Sequence, residues 1–121
     1  MKKKFLLLTV VILGFMLELQ AAPVLPEASA RDYLKNGALV IDVRTVEEFQ
    51  AGHLTNVINI PLNELKEKLP RQVSDKGKVL LLHCQSGVRS GAAVKKLKAM
   101  GYANVYNLGS YARAASIVNG K

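Results

Sequence analysis

Residues 79–100 read VLLLHCQSGVRSGAAVKKLKAM, and this stretch decides the fold. Val79 to Leu82 is a short apolar run of strand length. From about Gly87 to Met100 the pattern turns helical, with Ala93, Leu97 and Met100 on one face and Gly101 as the stop. A strand running straight into a helix is half of a βαβ unit. Cys84, the single cysteine of the chain, falls at the carboxyl end of that strand, where open α/β sheets bind their ligands. The first amides of the following helix have no partners inside it and point into the loop. The helix dipole there favours negative charge, so a thiolate at Cys84 is stabilised and its pKa lowered. Ser86 and Gly87 keep the loop small. Arg89 adds a permanent positive charge with a fork of donors suited to an oxyanion. His83 reads as a core or hydrogen-bonding residue.

Outward from this unit, strand-like and helix-like pieces alternate. Val24-Leu25 can form a short first strand. Pro26 suits the start of a helix running to about Lys35, with Gly37 after its end. ALVIDV (38–43) has the apolar, β-branched character of a strand buried on both faces. Thr45 and Glu48 form a capping box for a helix from about Val46 to Ala51. Val57 to Asn59 is another short strand, and Leu62 to Leu69 a short helix. Pro70 to Lys78 reads as a polar loop, Asn104 to Tyr106 as a last strand, and Gly109 to Lys121 as a closing helix. Such alternation predicts a parallel sheet with helices on both faces.

The N-terminus is of a different kind. Lys2, Lys3 and Lys4 precede an apolar run of 13 residues, Phe5 to Leu17, and small residues Ala21 and Ala22 follow. That run is shorter than the ~20 residues a membrane-spanning helix needs. Residues 1–21 are therefore expected to be a signal peptide, residues 22–121 one exported domain, and the destination the periplasm. No stable membrane association is expected after cleavage.

Beyond Ala21 there are 14 Lys and Arg against 8 Asp and Glu, a net charge of +6. No aromatic-interleaved basic stripe and no nucleic-acid motif accompany that charge, so nucleic acid is not expected as a partner. The charge suits solubility and attraction of a small anion. The basic clusters Lys95, Lys96, Lys98 and Lys66, Lys68, Arg71 read either as solvated faces or as long-range attraction for a doubly negative donor, and spacing places neither beside the loop. A lone cysteine in an exported chain cannot close an internal disulfide, which leaves a reactive thiol or pairing between chains. His83 adjoins Cys84, but His53 lies thirty residues earlier, and two histidines with one cysteine so spread do not make a zinc site. Asp42 and Arg44 project to the same side of a strand end and read as structural charges. Glu47 and Glu48 favour the dipole at a helix start, and His53 follows Gly52 in a turn.

The loop spacing C-x4-R is one residue shorter than the H-C-x5-R ring with which cysteine phosphatases surround a phosphate. Together with IDVRTVEEFQAGHLTNVINIPL (41–62), the stretch HCQSGVRS (83–90) resembles the single-domain rhodaneses, a sulfurtransferase family, and in particular its exported phage-shock type. The two signatures are D-V-R…E-[YF]-x-x-G-H-[IL]…N-I-P-L and the six-residue loop C-x-x-G-x-[RT]. The resemblance covers roughly Val24 to Gly109. It implies a three-layer α/β/α fold with a five-stranded parallel sheet. It implies thiosulfate sulfurtransferase activity through a Cys84 persulfide, with cyanide or a thiol as acceptor. Gln85, Ser86, Gly87, Val88 and Arg89 would then bind substrate and stabilise the persulfide charge. No metal or organic cofactor is implied, and a monomer is expected. A persulfide carrier that docks a partner and turns over slowly is the alternative. Three positions depart from the family pattern: Gln85 stands where Arg is frequent, Asn56 where Gly is frequent, and Gly109-Ser110-Tyr111 replaces a Gly-Gly followed by Trp.

Overall fold

The computed structural model describes residues 22–120; the expected signal peptide lies outside them. The elements are α1 (Glu27–Lys35), β1 (Leu39–Asp42), α2 (Val46–Ala51), β2 (Val57–Asn59), a 3-10 turn (Leu62–Glu64) leading into α3 (Leu65–Gln72), β3 (Leu80–His83), α4 (Val88–Ala99), β4 (Val105–Gly109) and α5 (Tyr111–Val118). The strands form a four-stranded, wholly parallel sheet in the order β2-β1-β3-β4. Five strands are expected from the resemblance, so this is a correction. Val24 makes a single parallel bridge to Asn107, and the Leu25 N–H donates to the Asn107 carbonyl at 2.8 Å. Pro23 and Pro26 flank that pair and carry no N–H, which stops a ladder from extending in either direction.

Side chains alternate across the sheet, and the alternation sorts the core into two layers. Ile41, Val43, Leu80, Leu82 and Cys84 face one way, onto Leu65 and Leu69 of α3 and Ala93, Val94 and Leu97 of α4. Val40, Leu81 and Leu108 face the other way, onto Ala30 of α1 and Ala114 and Ile117 of α5. The result is an α/β/α sandwich. Among the described residues no helix is long and apolar enough to cross a membrane.

From β1 the chain moves to β2 on one side, then returns past β1 to β3 and β4 on the other. The reversal opens a crevice at the carboxyl ends of β1 and β3, the switch point of this sheet. Cys84 follows the end of β3 directly, and Arg44 lies two residues past the end of β1.

Local chemistry sets the boundaries. Thr45 caps α2: its hydroxyl accepts from the Glu48 N–H, and the Glu48 carboxylate accepts from the Thr45 N–H, which is the expected capping box. Asn56 adopts a left-handed φ of 60°, the conformation asparagine tolerates best after glycine. The expected loop from Pro70 is shorter than the sequence suggests, because α3 continues through Pro70 to Gln72. A proline inside a helix costs about 3 kcal/mol. Leu65, Leu69 and Val73 line the buried side of this segment, and each such side chain contributes about 1.5–3 kcal/mol on burial. Their sum outweighs the missing rung. The Val73 N–H bonds to Leu69 O at 2.8 Å, and Val73 O accepts from the buried Tyr102 hydroxyl at 2.6 Å. β4 runs three residues past its expected end, to Gly109, across an irregularity in its pairing with β3.

Candidate active site

Cys84 directly follows β3 on the α4 side of the sheet and is wholly buried. Gly87 makes the approach possible. It sits at the N-cap of α4 with φ +94°, a left-handed conformation that glycine adopts without strain. From there its N–H donates to Sγ at 3.0 Å. The Ser90 N–H, in the first turn of α4, lies 3.4 Å from Sγ, and the Ser90 hydroxyl 3.5 Å. Burial pushes the thiol pKa up; the hydroxyl and amide of Ser90 and the amides of Gly87 and Ser86 outweigh it, and the net is a lowered pKa. The sulfur therefore rests as an anion more readily than an ordinary cysteine.

Among the other expected binding residues, Gln85, Ser86 and Val88 carry exposed side chains, while Arg89 is half-buried. The loop is fastened to the β4–α5 junction. Ser86 bridges Ser110, the Tyr111 N–H donates to Gln85 O at 3.2 Å, and the Cys84 N–H to Gly109 O at 3.3 Å.

The fork of Arg89 is occupied within the protein. Its two terminal nitrogens donate to the two oxygens of Glu48, at 2.6 and 2.9 Å. Glu48 is the same carboxylate that closes the α2 capping box. The Arg89 fork, then burial acting the other way, then Thr45, together hold its pKa at about 2.

Beneath the loop is a buried polar cluster. Asp42 accepts from the Arg44 N–H at 2.9 Å, from its Nε at 3.0 Å and from its Nη2 at 2.7 Å. That Nη2 also reaches Gly52 O at 2.7 Å, and the guanidinium lies 4.6 Å from the centre of the Tyr111 ring. Asn59 Nδ2 donates to the carbonyls of Asp42 and Arg44. His83 faces the same cluster: Nδ1 is 3.4 Å from Cys84 O, Nε2 is 3.8 Å from Asp42 Oδ2, and the ring meets Tyr111 edge-on. Burial holds the His83 pKa down and the imidazole neutral at pH 7. Asp42 and Arg44 thus fix the end of β1 to the turn after α2. His53 stacks on Phe49 and its Nδ1 lies 2.8 Å from Phe49 O, a structural placement. Among the described residues no cluster of His, Cys, Asp and Glu could hold a metal ion.

Sequence reasoning passes over two residues that shape the site. Ser90 Oγ lies 2.7 Å from Asn107 Oδ1 and 3.1 Å from Gly87 O. Asn107 Nδ2 donates to Gly87 O at 3.2 Å. A buried asparagine in the otherwise apolar strand VYNLG was the available signal. A hydroxyl has one proton to give. With a neutral thiol it goes to Asn107; with a thiolate it can turn to Sγ. Ser90→Ala is expected to raise the Cys84 pKa. The midpoint of the iodoacetamide alkylation rate against pH should move up, with slower alkylation at pH 7. An unmoved midpoint would mean that the hydroxyl serves Asn107 alone.

Residues 27–113 match the family model described as Rhodanese-like domain. The chain is 44% identical over 69 residues to the thiosulfate sulfurtransferase PspE of Escherichia coli K12, covering 57% of this chain and 66% of that protein. It is 33% identical over 69 residues to the putative sulfur carrier protein YrkF of Bacillus subtilis, covering 57% and 36%. The matches thus span less than two thirds of each of these curated relatives. The solved structure "rhodanese with anions from E. coli" superposes with a TM-score of 0.61 at 39% identity, over 64% of this chain and 91% of that one.

Proposed function

This chain belongs to the rhodanese-like domain family, and on that premise we propose that it is a thiosulfate sulfurtransferase working through Cys84. The Cys84 thiolate attacks the outer sulfur of thiosulfate. The S–S bond of the donor breaks, sulfite leaves with the electron pair, and Cys84 becomes a persulfide anion. A thiolate or cyanide then attacks the outer sulfur, takes it as a persulfide or thiocyanate, and returns the Cys84 thiolate. The observation that carries this reading is the convergence of the Gly87 and Ser90 amides on a single sulfur. Donors already aimed at a developing anion need no reorganisation during the reaction. Gln85, Ser86, Val88 and Arg89 complete the loop that receives the donor. The protein acts as an exported monomer in the periplasm once residues 1–21 are removed.

The test is intact mass before and after thiosulfate. The protein should gain one sulfur atom, located on the peptide that carries Cys84, and lose it on adding cyanide or a thiol. No gain in mass sinks the reading. The complete burial of Cys84 favours a second one, a persulfide carrier whose loop opens when a partner docks. That reading calls for slow turnover with small acceptors and fast transfer once the partner protein is supplied.

A further inference from the structure

A groove of about 360 Å³ lies beside the site, with Val43, Pro61 and Leu62 forming its apolar side and Arg89 and Lys96 its cationic side. Arg89 and Lys96 are seven residues apart on α4, so two turns bring them to the same face. Lys96 Nζ reaches Leu62 O at 3.5 Å, across the groove from its own helix. Among the described residues, the one carboxylate shown bonded to either cation is Glu48, which fills both prongs of the Arg89 fork. A carboxylate and the oxygens of a sulfonate or thiosulfate group ask for the same donors. The groove therefore holds an internal competitor for any anionic substrate, fixed at the start of α2 by the capping box.

We propose that Glu48 determines donor specificity, by competing with the donor's anionic group for Arg89 and by repelling donors in proportion to their charge. This rests on the sulfurtransferase reading. Two cations against one carboxylate leave a local net charge of one. Glu48 thus cancels part of the attraction that would otherwise favour a dianion, which narrows its advantage over a singly charged donor such as an organic thiosulfonate, whose apolar body can lie along Val43, Pro61 and Leu62. A compact dianion such as thiosulfate meets the same groove with twice the repulsion from Glu48. Coulomb energy is linear in the donor's charge. The gain in binding on removing the Glu48 charge is then squared for a dianion relative to a monoanion.

Glu48→Gln is the informative change. It removes the charge while keeping an oxygen to accept from the Thr45 N–H. Binding is read by calorimetry in a Cys84→Ser background, where neither donor can react. With Glu48→Gln added, thiosulfate should bind about tenfold more tightly and benzenethiosulfonate about threefold, the ratio set by charge. Glu48→Ala, which also weakens the capping box, should give the same ordering with a lower melting temperature. Equal factors for the two donors, weaker binding, or no measurable binding by any variant would overturn the proposal and leave Glu48 as a helix cap and ion-pair partner only. Sulfur gain by the protein with Cys84 intact is measured separately. If that protein gains no sulfur while the charge-ordered binding holds, the sulfurtransferase reading fails and the competitor role stands.

Discussion

Asp42→Ala is expected to destabilise the domain by about 3–5 kcal/mol, the usual cost of removing one partner from a buried ion pair. Asp42 is fully buried and Arg44 only 5% exposed. Without the carboxylate, the guanidinium keeps the Gly52 carbonyl and the face of Tyr111, neither of which carries a full negative charge. A domain of this size is stable by about 5–15 kcal/mol in all, so the loss is a large share. The urea midpoint should fall sharply with an unchanged slope. Adding Arg44→Met should recover much of the loss, because a pair replaced by apolar groups leaves no orphaned charge. A single substitution as stable as the parent would show that the pair is not what holds the end of β1.

Gly87→Ala should act on reactivity out of proportion to stability. A left-handed conformation costs a side-chain-bearing residue about 1–2 kcal/mol, and the new methyl would meet the Gly109 carbonyl carbon at 3.4 Å. Relief of that strain turns the Gly87 N–H away from Sγ. Losing one aimed donor at a developing anion costs about a hundredfold or more in rate. Persulfide formation should fall by about that factor, while the melting temperature drops only by several degrees. Gly101→Ala is the control: it carries a comparable φ of +98° at the opposite end of α4, so it should lower the melting temperature while leaving persulfide formation nearly unchanged. A Gly87→Ala protein that takes up sulfur at the parent rate would remove the amide seat from the mechanism.

The framework was legible because its causes are local. VLLLHC announces a buried strand ending at a thiol, Thr45 and Glu48 announce a capped helix, and both appear as expected. The fold differs from the reading where distant packing decides. α3 runs through Pro70 because its leucines are buried by α4 and the sheet, which no local pattern reports. Val24-Leu25 has strand composition, yet the prolines on both sides limit it to one bridge. In the site, Cys84 and its loop could be placed from sequence. The partner of Arg89 could not, because Glu48 lies 41 residues away and its role in the capping box accounts for it fully without any ion pair. Ser90 and Asn107 escaped notice for a similar reason: each looks ordinary alone, and only their 2.7 Å contact gives them a shared task.

The fastening of the Cys84 loop to the β4–α5 junction bears on the order in which the protein matures. The thiol itself is present once residue 84 is made, but the backbone groups that shape its loop, Gly109 O, Ser110 and Tyr111 N–H, belong to a stretch synthesised later. The donors to the sulfur lie within residues 86–90, whereas the backbone ties that hold their loop come from β4 and the start of α5, so the fastening of the loop is complete only once β4 has paired with β3.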